Sequence, residues 1–368
     1  MLAAERRNTL FTPGPCMVPD DVATAGARAD HFHRDPRFGD MCQRVCRDLV
    51  DLAGGGADDV CVPLGCSGSG ALEAALALLG GPLMIVRTGV YAARLEDTAR
   101  YIGLEPEGFA WSDGDGLARL RARLERGPAP KTIALVHHET AAGTLIDIEA
   151  IAAVAAEHGA LVVADAVASF GGHFTRLAGA GFGAVVVTPN KCLESVPGLS
   201  FVIAPRAVME RGPAMRTSAY LDLPAQYRRL AHTGEPRFTL PVQVVAALDV
   251  ALRRLERETL AGREARYRAM RAVLCARMSA IGLVPTEREG ATRSSFVQLF
   301  EAPPPPLFLE WRDALAGQGL VIYTDRATLE GGTFYLSVAG DLAEDDIARL
   351  ADAMAPLVAA WRTGRMAS

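Results

Sequence analysis

The stretch "VVVTPNKCLESVPGLSFVIAP", residues 185–205, sets a lysine between two apolar β-type runs. An ammonium group in that position needs a reason. Of the 38 cationic side chains in the sequence, only Lys131 and Lys191 are lysine; all the others are arginine. A guanidinium stays protonated and never acts as a neutral amine, whereas a desolvated lysine sheds its proton and attacks a carbonyl. Lys191 is therefore the first candidate for covalent chemistry.

Outward from this stretch, β-type runs alternate with Ala/Leu-rich helical patterns from about residue 58 to 205. The runs are "MIVRTG" (84–89), "TIALVHH" (132–138), "ALVVADA" (160–166), "AVVVT" (184–188) and "LSFVIA" (199–204). Between them lie patterns such as "SGALEAALALLG" and "IEAIAAVAAEHG". Near-continuous Val/Ile/Leu strands separated by helices predict an α/β fold, a mostly parallel sheet covered on both faces. Ligands in such sheets collect at the C-terminal ends of strands. After "RFTLPVQ" (237–243) the character changes. A long helical stretch at roughly 241–281 precedes "FVQLFE", the loop "APPPPL", a helix near 307–318, "GLVIYTD", "TFYLSVAG" and a last helix from about 343. The expected organisation is an N-terminal arm over residues 1–18, a large domain over 19–254 and a smaller α+β domain over 255–368.

The 368 residues, half of them hydrophobic, are enough for two cored domains. A net charge of −5 with scattered basic residues offers no nucleic-acid footprint. No apolar run approaches the ~20 residues that span a bilayer. The opening "MLAAERRNTLFTPGP" lacks the apolar core of a signal peptide. Seven cysteines without paired metal-ligand spacing read as free thiols, and the expected location is the cytoplasm.

At the strand ends, "GCSGSGALEAAL" (65–76) is a Gly/Ser turn opening a helix, so Ser67, Gly68 and Ser69 offer an anion site suited to phosphate. "RTGVYAAR" leaves Tyr91 past the next strand, where its ring either packs or covers a planar ligand. "VVADAVASFGG" ends a strand in Asp165, a carboxylate after apolar residues that needs a partner. Taken singly, each has an ordinary structural explanation. Together, and with Lys191, they match pyridoxal 5′-phosphate part by part: phosphate to the turn, ring face to the aromatic, ring nitrogen to Asp165, aldehyde to Lys191 as a Schiff base. Asp165 would keep that nitrogen protonated and the ring electron-accepting.

"FTPGP", "GSGALEA", "GVYAARL", "VHHETAAGTL", "VADAVASFGG", "NKCLESVPGLSFVIA" and "RFTLP", spread over residues 11 to about 241, resemble class V aminotransferases of the fold-type I pyridoxal-phosphate superfamily. The resemblance implies a large domain with a mostly parallel sheet of the seven-stranded type and a smaller α+β C-terminal domain. It implies transfer of an amino group from a small donor, an aminoalkylphosphonate such as 2-aminoethylphosphonate, to a 2-oxo acid such as pyruvate. By position it gives Lys191 the cofactor and the proton shuttle, Asp165 the ring nitrogen, Val167 and Tyr91 the two ring faces, and Ser67, Gly68, Ser69 and Asn190 the phosphate. Thr140 is expected at the cofactor, and Thr239 is expected to reach the phosphate held by a neighbouring subunit, which implies a homodimer with shared sites. Two departures stand out. Hydroxyls usual after the Glu of "HET" are replaced beyond Thr140 by Ala141 and Ala142, and Tyr335 occupies the small-domain position of a substrate-clamping Arg. A phenol does not replace a bidentate guanidinium. Arg326, or His31, His33 or Arg34 near the N-terminus, would then supply the clamp; alternatively the chain is a pyridoxal-phosphate lyase acting on a related amino compound.

Overall fold

A computed structural model describes residues 8–173, 176–179, 181–288 and 290–364. Its centre is a sheet of seven strands: β1 (Asp59–Leu64), β2 (Leu83–Arg87), β3 (Glu107–Ala110), β4 (Thr132–Val136), β5 (Leu161–Asp165), β6 (Phe182–Val187) and β7 (Ser200–Pro205). Their spatial order is β1-β7-β6-β5-β4-β2-β3. Only β7 runs against its neighbours; β2 to β6 are parallel. The five β-type runs of the sequence all become strands. The other two, β1 and β3, carry weak signals because they are the edges. Edge strand β1 tolerates Pro63, which has no N–H to give, and β3 reads only "EGFA".

Alternation along β6 shows why the sheet is buried on both faces. Val185 and Val187 pack into a core with residues of the helices Pro36–Leu52 and Val242–Glu258. Ala184 and Val186 face the opposite way, into a core built with the helix Gly68–Leu79. The in-register pairs Val136–Asp165 and Asp165–Val186 set the end of β5 level with the ends of β4 and β6. Chemistry-bearing side chains therefore gather along one edge of the sheet.

The helical pattern over 241–281 is not one helix. It breaks at Thr259, which has φ 69°, into Val242–Glu258 and Leu260–Ala280. The Thr259 hydroxyl accepts from Gly262 N at 3.1 Å and caps the second helix. Beyond the break, a separate core gathers Tyr267, Phe296, Phe300, Trp311, Phe334 and Leu350. It lies against an antiparallel sheet of Pro285–Thr286, Val297–Glu301 and Thr333–Ser337. The N-terminal segment joins this core: Phe11 and Cys16 are buried in it, and Thr9–Leu10 pairs in parallel with Leu320–Val321. Among the described residues, no helix is long and apolar enough to cross a membrane, and all seven cysteines are free thiols.

Candidate active site

A cavity of about 370 Å³ opens at the C-terminal ends of the parallel strands, and Ser67–Ser69, Tyr91, Asp165, Val167, Asn190 and Lys191 all line it. Lys191 stands four residues beyond β6, in a turn closed by Glu194 N donating to Lys191 O at 2.8 Å. Its aliphatic stem lies against Gly14; a Cβ there would sit 2.7 Å from Lys191 Cγ, so only glycine leaves the stem room. Burial lowers the pKa of the Lys191 amine, an effect that the charge of Asp165 opposes. The neutral amine is the nucleophilic form.

Asp165 ends β5 with 8% of its surface exposed and accepts a hydrogen bond from Val167 N at 3.0 Å. Burial raises its pKa from 3.8 to about 6, against the Val167 N–H and the nearby Lys191 and Arg94 charges. A cation placed against this carboxyl would restore its charge. Nearby, Ser67 is the N-cap of the helix Gly68–Leu79 but its side chain makes no capping bond, which leaves its hydroxyl and the Gly68 and Ser69 N–H groups for an outside acceptor. Gly68 permits a close approach there, since a Cβ would lie 2.7 Å from Val167 Cγ2. Thr188, in the same wall, has a buried hydroxyl with no hydrogen-bond partner among the described residues.

Tyr91 owes its position to a residue that the motif reading left without a role. Glu139, almost fully buried, accepts from Tyr91 N at 3.2 Å and from Thr88 Oγ1 at 3.3 Å. It thereby caps the helix Val90–Tyr101 from a different strand, in place of Gly89, which has no side chain to do so. A Cβ on Gly89 would lie 2.7 Å from Glu139 Cγ. Burial raises the Glu139 pKa from 4.5 to about 7, against those donors.

Other expected residues lie elsewhere. Thr140 is buried, with its hydroxyl 3.1 Å from His138 Nδ1. Thr239 is exposed, and its hydroxyl lies 3.4 Å from His33 Nε2, outside the cavity wall. Arg34 pairs with Glu235 at 2.8 Å, while Arg326 projects into solvent and pairs with Glu330 one helical turn away at 2.7 Å. Neither guanidinium lines the cavity, and each pairs with a surface carboxylate close by. Tyr335 is 1% exposed, and its phenol pKa is raised by burial, with the neighbouring Tyr91 and Asp325 adding to the effect. The cations in the cavity wall are Lys191 and Arg94. The Arg94 guanidinium lies 5.1 Å from the Tyr91 ring centroid. Its signal in the sequence was its spacing: three residues after Tyr91 on a helix is the same face.

Asp165 and Glu139 both hold their protons to higher pH in the folded chain than in the unfolded one. Folding therefore retains protons that the unfolded chain has shed, and stability falls as pH rises from about 4 through about 6 for Asp165 and about 7 for Glu139. Urea denaturation of the cofactor-free protein across that range is expected to show this decline. Asp165→Asn and Glu139→Gln should each flatten part of it, and identical slopes in wild type and both variants would contradict the assignment.

The model of the aminotransferase class-V family matches residues 113–300. A 2-aminoethylphosphonate–pyruvate transaminase of Burkholderia thailandensis is 36% identical over 346 residues, covering 92% of this chain and 93% of that one. One from Burkholderia lata is 34% identical over 358 residues, covering 95% and 96%. Among solved structures, ureidoglycine–glyoxylate aminotransferase from Bacillus subtilis superposes with a TM-score of 0.86 at 22% identity, over 98% of this chain and 95% of that one. Pyridoxamine–pyruvate aminotransferase from Mesorhizobium loti gives 0.84 at 22% identity, over 98% and 94%. The structural likenesses establish the fold and the sequence relatives establish the family: the chain is a class-V aminotransferase of fold type I, and its cofactor is pyridoxal 5′-phosphate.

Proposed function

We propose that the cavity holds the cofactor on Lys191 and that the enzyme moves the amino group of an aminoalkylphosphonate, such as 2-aminoethylphosphonate, to pyruvate or a similar 2-oxo acid. The observation that carries this reading is a single cavity lined by the Lys191 amine, the Asp165 carboxyl and the Ser67-capped helix end. The substrate pair is supported by the relatives' names over nearly the full chain. With the family one of transaminases, the lyase alternative is not needed.

The residues fit the group. Bound there, the cofactor supplies a carbonyl for amines and a ring that accepts electrons. Ser67, Gly68, Ser69 and Asn190 would hold its phosphate, and the unpaired Thr188 hydroxyl is a further donor in the same wall. Asp165 would hold the proton of the ring nitrogen, recovering its own charge in doing so. Tyr91 and Val167 would bracket the ring. Lys191 Nζ, its pKa lowered by burial, would take the proton from the substrate carbon and return it to the cofactor's carbon. Arg94 would meet the substrate's acidic group, the task that Tyr335 does not perform. The exposure of Thr239 beside the exposed aromatics Phe32, Tyr220 and Phe238 supports a homodimer with shared sites. Seven free thiols favour a reducing compartment, the cytoplasm.

The direct assay is alanine formation from pyruvate with 2-aminoethylphosphonate as donor. Borohydride reduction followed by peptide mass spectrometry should place the cofactor on Lys191, and Lys191→Ala should lower turnover on the order of a thousandfold. A donor screen that yields turnover without any oxo acid would sink the transfer reading. Arg94→Gln is expected to raise KM for an anionic donor about tenfold, roughly 1.4 kcal/mol, and an unchanged KM removes Arg94 from substrate recognition. Light scattering should return twice the chain mass, with Thr239→Ala weakening cofactor retention; a fully active monomer would contradict the shared site.

A further inference from the structure

We propose that Glu194 is a positioning residue for Lys191, and that Arg263, Arg266 and Tyr267 hold Glu194 in that task. The inference rests on Lys191 carrying the cofactor. Glu194 is 3% exposed and takes φ 57°, a left-handed backbone uncommon outside glycine. That backbone turns its N–H onto Lys191 O at 2.8 Å and the next N–H, of Ser195, onto Pro189 O at 2.9 Å. The lysine is thus pinned by a turn that its own residues do not favour, so something else must hold the turn.

The Glu194 carboxylate is what is held. It accepts from Arg266 Nη2 and from the Tyr267 hydroxyl, each at 2.7 Å, and pairs with Arg263 Nη2 at 3.5 Å. Arg263, 1% exposed, also donates through Nη1 to Cys192 O at 2.7 Å, the carbonyl next to Lys191. Glu258 takes the Nε of both arginines at 2.7 Å, so two carboxylates balance two guanidinia. The circuit then closes on the other side of the lysine. Arg266 Nη1 donates to Gly340 O at 3.0 Å, and Gly340 bridges to Met17. The adjacent Cys16 thiol donates to Lys191 O at 3.1 Å. A buried ion pair contributes little net stability compared with apolar packing, so this one is better explained by the geometry that it imposes. Glu194 touches neither cofactor nor substrate in this scheme; it acts through the lysine backbone.

The test uses the holoenzyme. Glu194→Gln keeps the shape and loses the charge; Arg263→Lys keeps the charge and loses the Nη1 donor to Cys192 O. In both, kcat should fall about tenfold while KM for donor and acceptor stays within roughly threefold, and amide exchange at residues 194 and 195 should quicken by at least about tenfold. Glu194→Asp should recover part of each loss. A variant that melts normally with unchanged kcat and unchanged exchange overturns the proposal, as does a loss confined to KM. If neither variant folds, wild-type exchange decides: amides 194 and 195 exchanging as fast as exposed loops would overturn it, and protection like that of β6 would support it. Borohydride labelling of the wild type is a separate readout. No cofactor on Lys191 would defeat the functional reading, while the exchange data would still report on the turn.

Discussion

Burial of ionisable groups without full partners, at one edge of a parallel sheet, is the constraint on which this molecule is built. Low-dielectric surroundings push Asp165 and Glu139 towards their protonated forms and Lys191 towards its neutral one. Among the described residues, the Thr188 hydroxyl has no hydrogen-bond partner. Each condition is unfavourable alone, and a ligand with a positive ring nitrogen, an anionic tail and an electrophilic carbon relieves the three that face the cavity together. The class-V cofactor has those parts in that arrangement. On the proposed reading, binding and preparation for chemistry are the same electrostatic event.

The sheet does not complete the site by itself. Gly14, from the segment whose apolar residues belong to the second core, bounds the Lys191 stem, and Tyr335, in that core's sheet, neighbours Tyr91. On the proposed reading, recognition of the substrate's acidic group moves from a strand of this smaller sheet to Arg94, on the same helix as Tyr91. That places ring contact and anion contact on one rigid element, itself anchored by Glu139.

Much of this was legible in the sequence, for reasons that can be named. The parallel strands are fully buried, so their Val/Ile/Leu runs stand out, and the residues just beyond them fall at the ligand-binding edge by topology. Lys191 declared itself through the scarcity of lysine. What stayed hidden depends on partners distant in the chain. Glu139 caps a helix that it does not belong to, and Glu194 meets arginines more than sixty positions away. Whether Arg34 and Arg326 were free for a ligand depended on Glu235 and Glu330, which no motif records. The break at Thr259 was equally silent, because the helical pattern continues across it and only the backbone angle reverses. Edge strands β1 and β3 were faint since a strand with one neighbour need not be uniformly apolar.

The pairing of Thr9–Leu10 with Leu320–Val321 has a consequence for biogenesis. The strand Thr9–Leu10 has to wait for the segment around residue 320 to be made before its partner exists, and such non-local pairing is slow to form. Gly14, which shapes the space around the reactive amine, follows directly behind that strand. A nascent chain could therefore assemble its central sheet long before the wall beside Lys191 is in place, and catalytic competence would wait for that late pairing.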